Sequence, residues 1–157
     1  MELLVGSTEL KLDSKQRLSL PLSIRKAMGV MSEDEIMLTI GMDGCIAGAD
    51  LGRWKENFMP RLQRLSWTRA ADRDLLREIA PRTFKLRIDT ENRVTLPVPL
   101  LQWAGLKAGD AVVVQGTFSH FEVWEAGRHA NRRLGQSPVE GRVEDRLGSD
   151  PQPEADS

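Results

Sequence analysis

Cysteine is nearly absent from this 157-residue chain. Cys45 stands alone, so no disulfide can form within the chain and a cytoplasmic setting is the default. Tyrosine is missing, and the two histidines, His120 and His129, lie nine residues apart with no Cys or acid at zinc-like spacing. Neither a metal site nor a cofactor is expected. No Ser–His–acid or Cys–His grouping is suggested, and no glycine loop leads into a helix to cradle phosphate. The chain therefore reads as a non-enzyme with no small-molecule substrate. No apolar run approaches the roughly 18 residues of a membrane helix, and Met1–Leu12 lacks the apolar stretch of a secretion signal, so no membrane association is expected. An excess of either charge is also lacking: 22 Lys+Arg against 23 Asp+Glu give −1. That balance argues against an indiscriminate nucleic-acid coat.

The small net charge hides a segregation. From Ser137 to Ser157 there are six acids and two bases, a net of −4, which leaves +3 on residues 1–136. This tail also carries Pro138, Pro151 and Pro153, and after Val139 only two sizeable aliphatics. Too little apolar surface is present to offset ordering entropy, so residues 129–157 read as an acidic, disordered tail. It could be an arm that modulates binding; a solvated tail is the plainer reading.

What the chain does have is an internal repeat. A shift of 76 residues lays Leu10–Pro21 (LKLDSKQRLSLP) on Leu86–Pro97 (LRIDTENRVTLP), with 5 of 12 positions identical and 6 conservative. Only Lys15/Glu91 differs in kind. The register continues to Gly29/Gly105 and to the apolar segments Ile36–Ile40 and Val112–Val114, so two copies of one unit are present. In each copy, period-two apolar patterning on both sides of a short polar turn reads as a β-hairpin. A short helix follows, Leu22–Met28 or Val98–Ala104, opened after a proline and stopped by Gly29 or Gly105. Strands come next at Ile36–Ile40 and Ala111–Gly116, then turns, then returning strands at Cys45–Ala47 and Phe121–Trp124. Between the copies the pattern predicts a helix through Trp54, Phe58 and Leu62, kinked or split at Pro60. A second helix, capped by Ser66 or Thr68, ends at Pro81. Seven arginines dot this region (Arg53, Arg61, Arg64, Arg69, Arg73, Arg77 and Arg82), spread around helix faces as a solvated surface would be. Trp54, Trp67, Trp103 and Trp124 sit in apolar settings that suit a core or a subunit contact.

Asp-x-x-x-Arg occurs at Asp13–Arg17 and Asp89–Arg93 and nowhere else in the chain. An aspartate opening a tight turn can accept bonds from N–H groups further along and hold the turn's shape. The arginine, where the chain re-enters a strand, presents a planar fork of donors suited to phosphate and guanine edges. A salt bridge that only fastens the hairpin is the competing explanation; surface pairs of that kind contribute little stability, a weak reason to build one twice. Lys11 and Lys15 make the first hairpin basic, and Arg82, Lys85 and Arg87 the second. Two such hairpins could form one cationic face, with a ribbon slim enough for the DNA major groove.

These residues resemble the MraZ family of bacterial transcriptional regulators, which carry tandem swapped-hairpin domains of the AbrB type. The similarity spans roughly Leu10 to Ala126, including both Asp-x-x-x-Arg hairpins with their Leu-Pro ends, the Trp54 helix region and the closing Phe121-Glu122-Val123-Trp124 segment. It implies a mainly β fold with short helices, a double pseudo-β-barrel with a helical insert. The corresponding divisions are a first AbrB-like hairpin domain at 5–50, a helical linker at 51–81, a second hairpin domain at 82–128 and the tail at 129–157. It further implies a cytoplasmic, nucleoid-associated repressor, a ring-shaped homo-oligomer that binds direct repeats in double-stranded DNA upstream of cell-division and cell-wall genes. In this chain the DNA-contacting positions would be Arg17 and Arg93, supported by Lys15, Lys11 and Arg87, with Asp13, Asp89, Gln16 and Asn92 shaping the turns. Two departures from the family pattern stand out. Gln16 and Asn92 replace the usual glycine before the arginine, and Glu91 replaces the usual lysine, placing a negative charge in the second turn. A protein-interaction or antitoxin-type module with reduced DNA binding is the alternative these departures suggest.

Overall fold

The two repeated helices are bounded by residues whose backbone chemistry suits the place, a proline before each and a left-handed glycine after it. The computed structural model describes residues 2–148. In chain order these form β1 (Ser7–Lys11), β2 (Arg17–Ser19), α1 (Leu22–Met28), β3 (Glu35–Ile40) and β4 (Ile46–Asp50). A helical segment follows: α2 (Leu51–Arg53), a π-helical turn (Trp54–Phe58), α3 (Met59–Gln63) and, after a bend, α4 (Ala70–Ile79). The second copy then supplies β5 (Phe84–Arg87), β6 (Arg93–Thr95), α5 (Val98–Ala104), β7 (Ala111–Gly116) and β8 (Phe121–Glu125), and the chain continues into α6 (Ala126–Leu134) and α7 (Val139–Leu147). Pro21 and Pro97 precede α1 and α5 with φ of −56° and −64°. Gly29 and Gly105 close the same helices in the left-handed region, at 69° and 67°, where a side chain would be strained.

The two arms of each expected hairpin do not pair with each other. β1 pairs with β7, β2 with β6 and β3 with β5, all antiparallel, so every arm finds its partner in the opposite copy. The main sheet runs β1-β7-β8-β4-β3-β5, and β2-β6 forms a separate two-stranded ribbon. Exchanging the copies reverses the six-strand order onto itself, which makes the arrangement pseudo-twofold. Registers obey the same shift of 76: Leu10 faces Val112 as Leu86 faces Ile36. Both copies and the insert accordingly form one compact unit, up to Ala126. This is the swapped-hairpin architecture, but the six-stranded ladder stays open at β1 and β5 and does not close into a hydrogen-bonded barrel.

The core is drawn evenly from both copies. Leu12 and Ile88, Leu18 and Val94, Leu20 and Leu96, Ile24 and Leu100, and Ile36 and Val112 are all buried. Each pair occupies equivalent positions, and each exchange stays within the aliphatic residues, as dense packing tolerates. Gly48 on β4 is required by contact: a Cβ there would collide with the Phe121 ring and Leu38. Trp54 and Trp124 are buried, Trp103 is 37% exposed, and Trp67 lies 73% exposed on the insert rather than in the core.

Three further expectations change. Pro60 does not split the insert helix: it lies in the first turn of α3, where a missing N–H is tolerated, and α3 follows the π turn without a break. The helix after it has no side-chain cap from Ser66 or Thr68. Those hydroxyls bond each other at 2.7 Å, while Asp72 accepts from the Ser66 N–H at 3.0 Å. The disordered tail is overturned over most of its described length. Gly127 onward forms a second unit, in which α6 continues to Leu134 and α7 covers Val139–Leu147. Val139, Val143 and Leu147 recur every fourth residue, a helical stripe that a count of aliphatics does not register. The remainder of the expected tail, 149–157, lies outside the described residues. Among the described residues, no helix is long and apolar enough to cross a membrane.

Candidate nucleic-acid interface

Both turns are organised around a carboxylate. Asp13 Oδ1 accepts from the backbone N–H groups of Lys15 and Arg17, each at 2.9 Å, and Oδ2 accepts from Arg17 Nε at 2.6 Å. Asp89 repeats this with Glu91, Arg93 and Arg93 Nε, at 2.9, 2.9 and 3.0 Å. The backbone closes each turn the same way: Asp13 N–H donates to the Arg17 carbonyl and Gln16 N–H to the Asp13 carbonyl, matched by Asp89 with Arg93 and Asn92 with Asp89. The Arg17 backbone N–H leads the interactions that hold the Asp13 carboxyl down at about 2, with the guanidinium and the Lys15 N–H adding to it. The Arg93 N–H does the same for Asp89, and the Asp89 carboxylate in turn raises the pKa of Arg93. Both acids therefore stay ionised and hold their arginines by Nε, and Arg93 Nη1 also meets Glu91 at 3.1 Å.

The turn requires a positive φ at the residue before the arginine. Gln16 and Asn92 both stand at 63°. Asparagine visits this region readily, whereas glutamine there costs on the order of 1 kcal/mol. The carbonyls of these two residues join the turns: Leu20 N–H donates to Asn92 and Leu96 N–H to Gln16, each at 3.0 Å.

Between the turns runs the β2–β6 ribbon, in which Arg17 pairs with Thr95, Leu18 with Val94 and Ser19 with Arg93. Strand alternation sends Leu18 and Val94 into the core and leaves Arg17, Ser19, Arg93 and Thr95 on the opposite face. Arg17 and Arg93 are thus diagonal neighbours on one surface, although 76 residues separate them in the chain. Lys15 sits exposed at the tip of the first turn and Glu91 at the tip of the second. Lys11 and Arg87 are exposed at the ends of β1 and β5, the opposite edges of the six-stranded sheet, so the fold does not gather them onto the ribbon. Arg87 is moreover in register with Glu35, whereas Lys11 faces Ala111.

Repeat analysis misses one residue of the site. Ser32 Oγ lies 3.0 Å from Asn92 Oδ1 and 3.4 Å from the Thr90 carbonyl, so the loop after α1 braces the second turn. Its counterpart in the other copy is Ala108, which has no hydroxyl. That Ser/Ala mismatch is the signal a comparison of the copies offers.

Away from the ribbon, Cys45 is fully buried, and burial pushes its thiol well above the usual range. Burial also opposes the charge on Glu122, but bonds from His120 and Trp124 outweigh it and leave the carboxyl below its usual value.

The family model described as "MraZ protein, putative antitoxin-like" matches residues 3–78 and again 79–130. The chain is 36% identical over 123 residues to the transcriptional regulator MraZ of Thermus thermophilus, covering 78% of this chain and 82% of that one. It is 37% identical over 120 residues to the transcriptional regulator MraZ of Limosilactobacillus fermentum, covering 76% and 79%. A solution structure from Pyrococcus horikoshii aligns at a TM-score of 0.36 with 17% identity, over 78% of this chain and 97% of that one, too loosely to bear on the fold. Two consecutive matches that fall on the two copies and together span most of the chain, with relatives above one-third identity along the same stretch, settle the family: this chain belongs to the MraZ family.

Proposed function

We propose that this protein is a sequence-specific DNA-binding transcriptional regulator, a repressor that works as a homo-oligomer on direct repeats upstream of cell-division and cell-wall genes. The observation that supports this best is the ribbon that sets the half-buried Arg17 and Arg93 on one face, away from the core, each guanidinium pre-oriented by its own aspartate. A guanidinium held by Nε has its orientation fixed before binding; Arg17 keeps its terminal donors for phosphate or guanine, while Arg93 shares one with Glu91. Lys15 extends the contact to the backbone, with Lys11 and Arg87 further out along the sheet edges.

One protomer would neutralise only a few phosphates, so its affinity would be small and its salt dependence shallow. A ring-shaped assembly presenting many ribbons to repeated boxes gains by effective concentration. Within the division proposed for the chain, 5–50 and 82–128 each supply one turn, 51–81 links them, and the protein acts in the cytoplasm at the nucleoid. A titration of the DNA upstream of its own gene, with the mass read by light scattering, tests this. Binding that is lost in Arg17→Ala/Arg93→Ala supports it; undiminished affinity and salt slope in that double variant would overturn it.

One observation favours a second reading, a protein-interaction or antitoxin-type module: Arg93 Nη1 is tied to Glu91 at 3.1 Å, at the tip of the second turn. No mobility shift of the upstream DNA at micromolar protein would select that reading.

A further inference from the structure

The backbone of the reading ribbon is pseudo-symmetric, but its charge is not. Counting the first turn, the strand end that leads into it and the loop bonded to that strand, Lys11, Lys15, Arg17 and Lys107 stand against Asp13 and Asp110, a net of +2. At the equivalent positions of the second turn, Arg87 and Arg93 stand against Asp34, Asp89, Glu33 and Glu91, a net of −2. Lys107 and Asp110 belong at the first turn because their loop bonds its leading strand: the Leu12 N–H donates to the Asp110 carbonyl at 3.0 Å. Glu33 and Asp34 belong at the second in the same way, with Ile88 N–H donating to Asp34 at 2.8 Å and Glu33 N–H donating to Ile88 at 2.7 Å. Position for position, Lys15 becomes Glu91, Lys107 becomes Met31 and Gly109 becomes Glu33.

Geometry follows charge. Arg17 has Asp13 as its one ion-pair partner among the described residues, whereas Arg93 is held by both Asp89 and Glu91. The second turn is also braced by Ser32, whereas the equivalent residue at the first is Ala108, which has no hydroxyl.

We infer that the ribbon is polar: the first turn grips the phosphate backbone through Arg17, Lys15 and Lys107, while the second turn, negative and pinned, is held off it. This inference rests on the DNA-binding reading above and narrows it. A ribbon with matched ends would fit a palindromic site in either direction. A ribbon with one gripping end docks in one direction, so the box read by each copy of the chain is non-palindromic. Repetition of such boxes head to tail suits an assembly that presents every ribbon in the same sense.

The test is fluorescence anisotropy of the full chain with a duplex from the DNA upstream of its own gene, across about 50–200 mM salt. Circular dichroism confirms folding, and Arg93→Gln replaces Arg93→Ala if the alanine variant unfolds. Arg17→Ala should weaken binding about 10-fold or more, and its Arg93 counterpart by less than about threefold. Glu91→Lys should tighten binding and steepen the salt slope by about one, the mark of one added phosphate contact. Equal losses at Arg17 and Arg93, or an unchanged slope in Glu91→Lys, overturn the polarity while leaving DNA binding intact. Absence of binding by both the wild type and Glu91→Lys overturns the DNA reading and the polarity with it.

Discussion

The two turns of the ribbon share their backbone closure and their Asp–Arg bonds and differ in the charge and the bracing around them. Asp13 and Asp89 each collect two backbone N–H groups at 2.9 Å and one Nε, and the residue before each arginine adopts the same φ of 63°. Leu18 and Val94, buried beneath them, are both aliphatic. Yet Lys15 stands where Glu91 does, and Ala108 where Ser32 does. Asp-x-x-x-Arg is therefore first a device for building a turn and aiming a guanidinium, and what the turn then meets is set by residues outside the motif. A copy can change its electrostatic role without disturbing its fold.

Four measurements would break or sharpen this comparison. The largest effect is expected where the copies are most alike. Ile24→Ala and Leu100→Ala remove equivalent buried side chains and should each cost about 2–5 kcal/mol. Because every arm pairs with the other copy, urea unfolding of the compact unit up to Ala126 should remain a single transition in both variants, and a copy that melted alone would end the claim of one interleaved unit. Gly48→Ala forces a methyl against Phe121 and Leu38 and should cost about 1–3 kcal/mol, read as a lower urea midpoint.

Smaller effects separate the turns. Gln16→Gly relieves the positive φ and should raise stability by about 0.5–1 kcal/mol, whereas Asn92→Gly should gain nothing, since asparagine tolerates that φ and gives up its bond to Ser32. Equal gains in thermal melts would show that Ser32 braces nothing. The smallest effect is the acid limb. Asp13 titrates at about 2 in the folded state against 3.8 for its ordinary value, and Asp89 is also lowered. A carboxyl depressed by folding adds stability that is complete above the unfolded value and is lost as pH falls through the folded one. Melting temperature should accordingly decline between about pH 4 and 2, and Asp13→Asn with Asp89→Asn should flatten that limb.

Local chemistry made much of this fold legible in the sequence. Pro21–Gly29 and Pro97–Gly105 bracket α1 and α5 to the residue, because φ-restricted and φ-permissive residues mark boundaries directly. Strand pairing was not legible from patterning alone. The alternation of Leu10, Leu12, Leu18 and Leu20 says which side chains face inward, but the same alternation serves an arm paired within its own copy or across to the other. Composition hides α7 because it averages over a spacing: three aliphatics in nine residues are few, yet at intervals of four they lie on one face. At the site, Arg17 and Arg93 were visible through their repetition. Ser32 was not, because its role depends on a loop 60 residues from Asn92.

The exchange of arms also fixes when the protein can exist. β1 ends at Lys11, but its partner β7 ends only at Gly116. At about 5–20 residues per second, roughly 100 residues of further synthesis keep that strand waiting for some 5–20 s. Until then Leu10, Leu12, Leu18 and Leu20 have no lasting cover, and the first copy is an unfinished half rather than a small domain awaiting a neighbour. Nascent chains halted before β7 should therefore remain open to protease and to chaperones, and the earliest functional quantity of this protein is the whole duplicated unit.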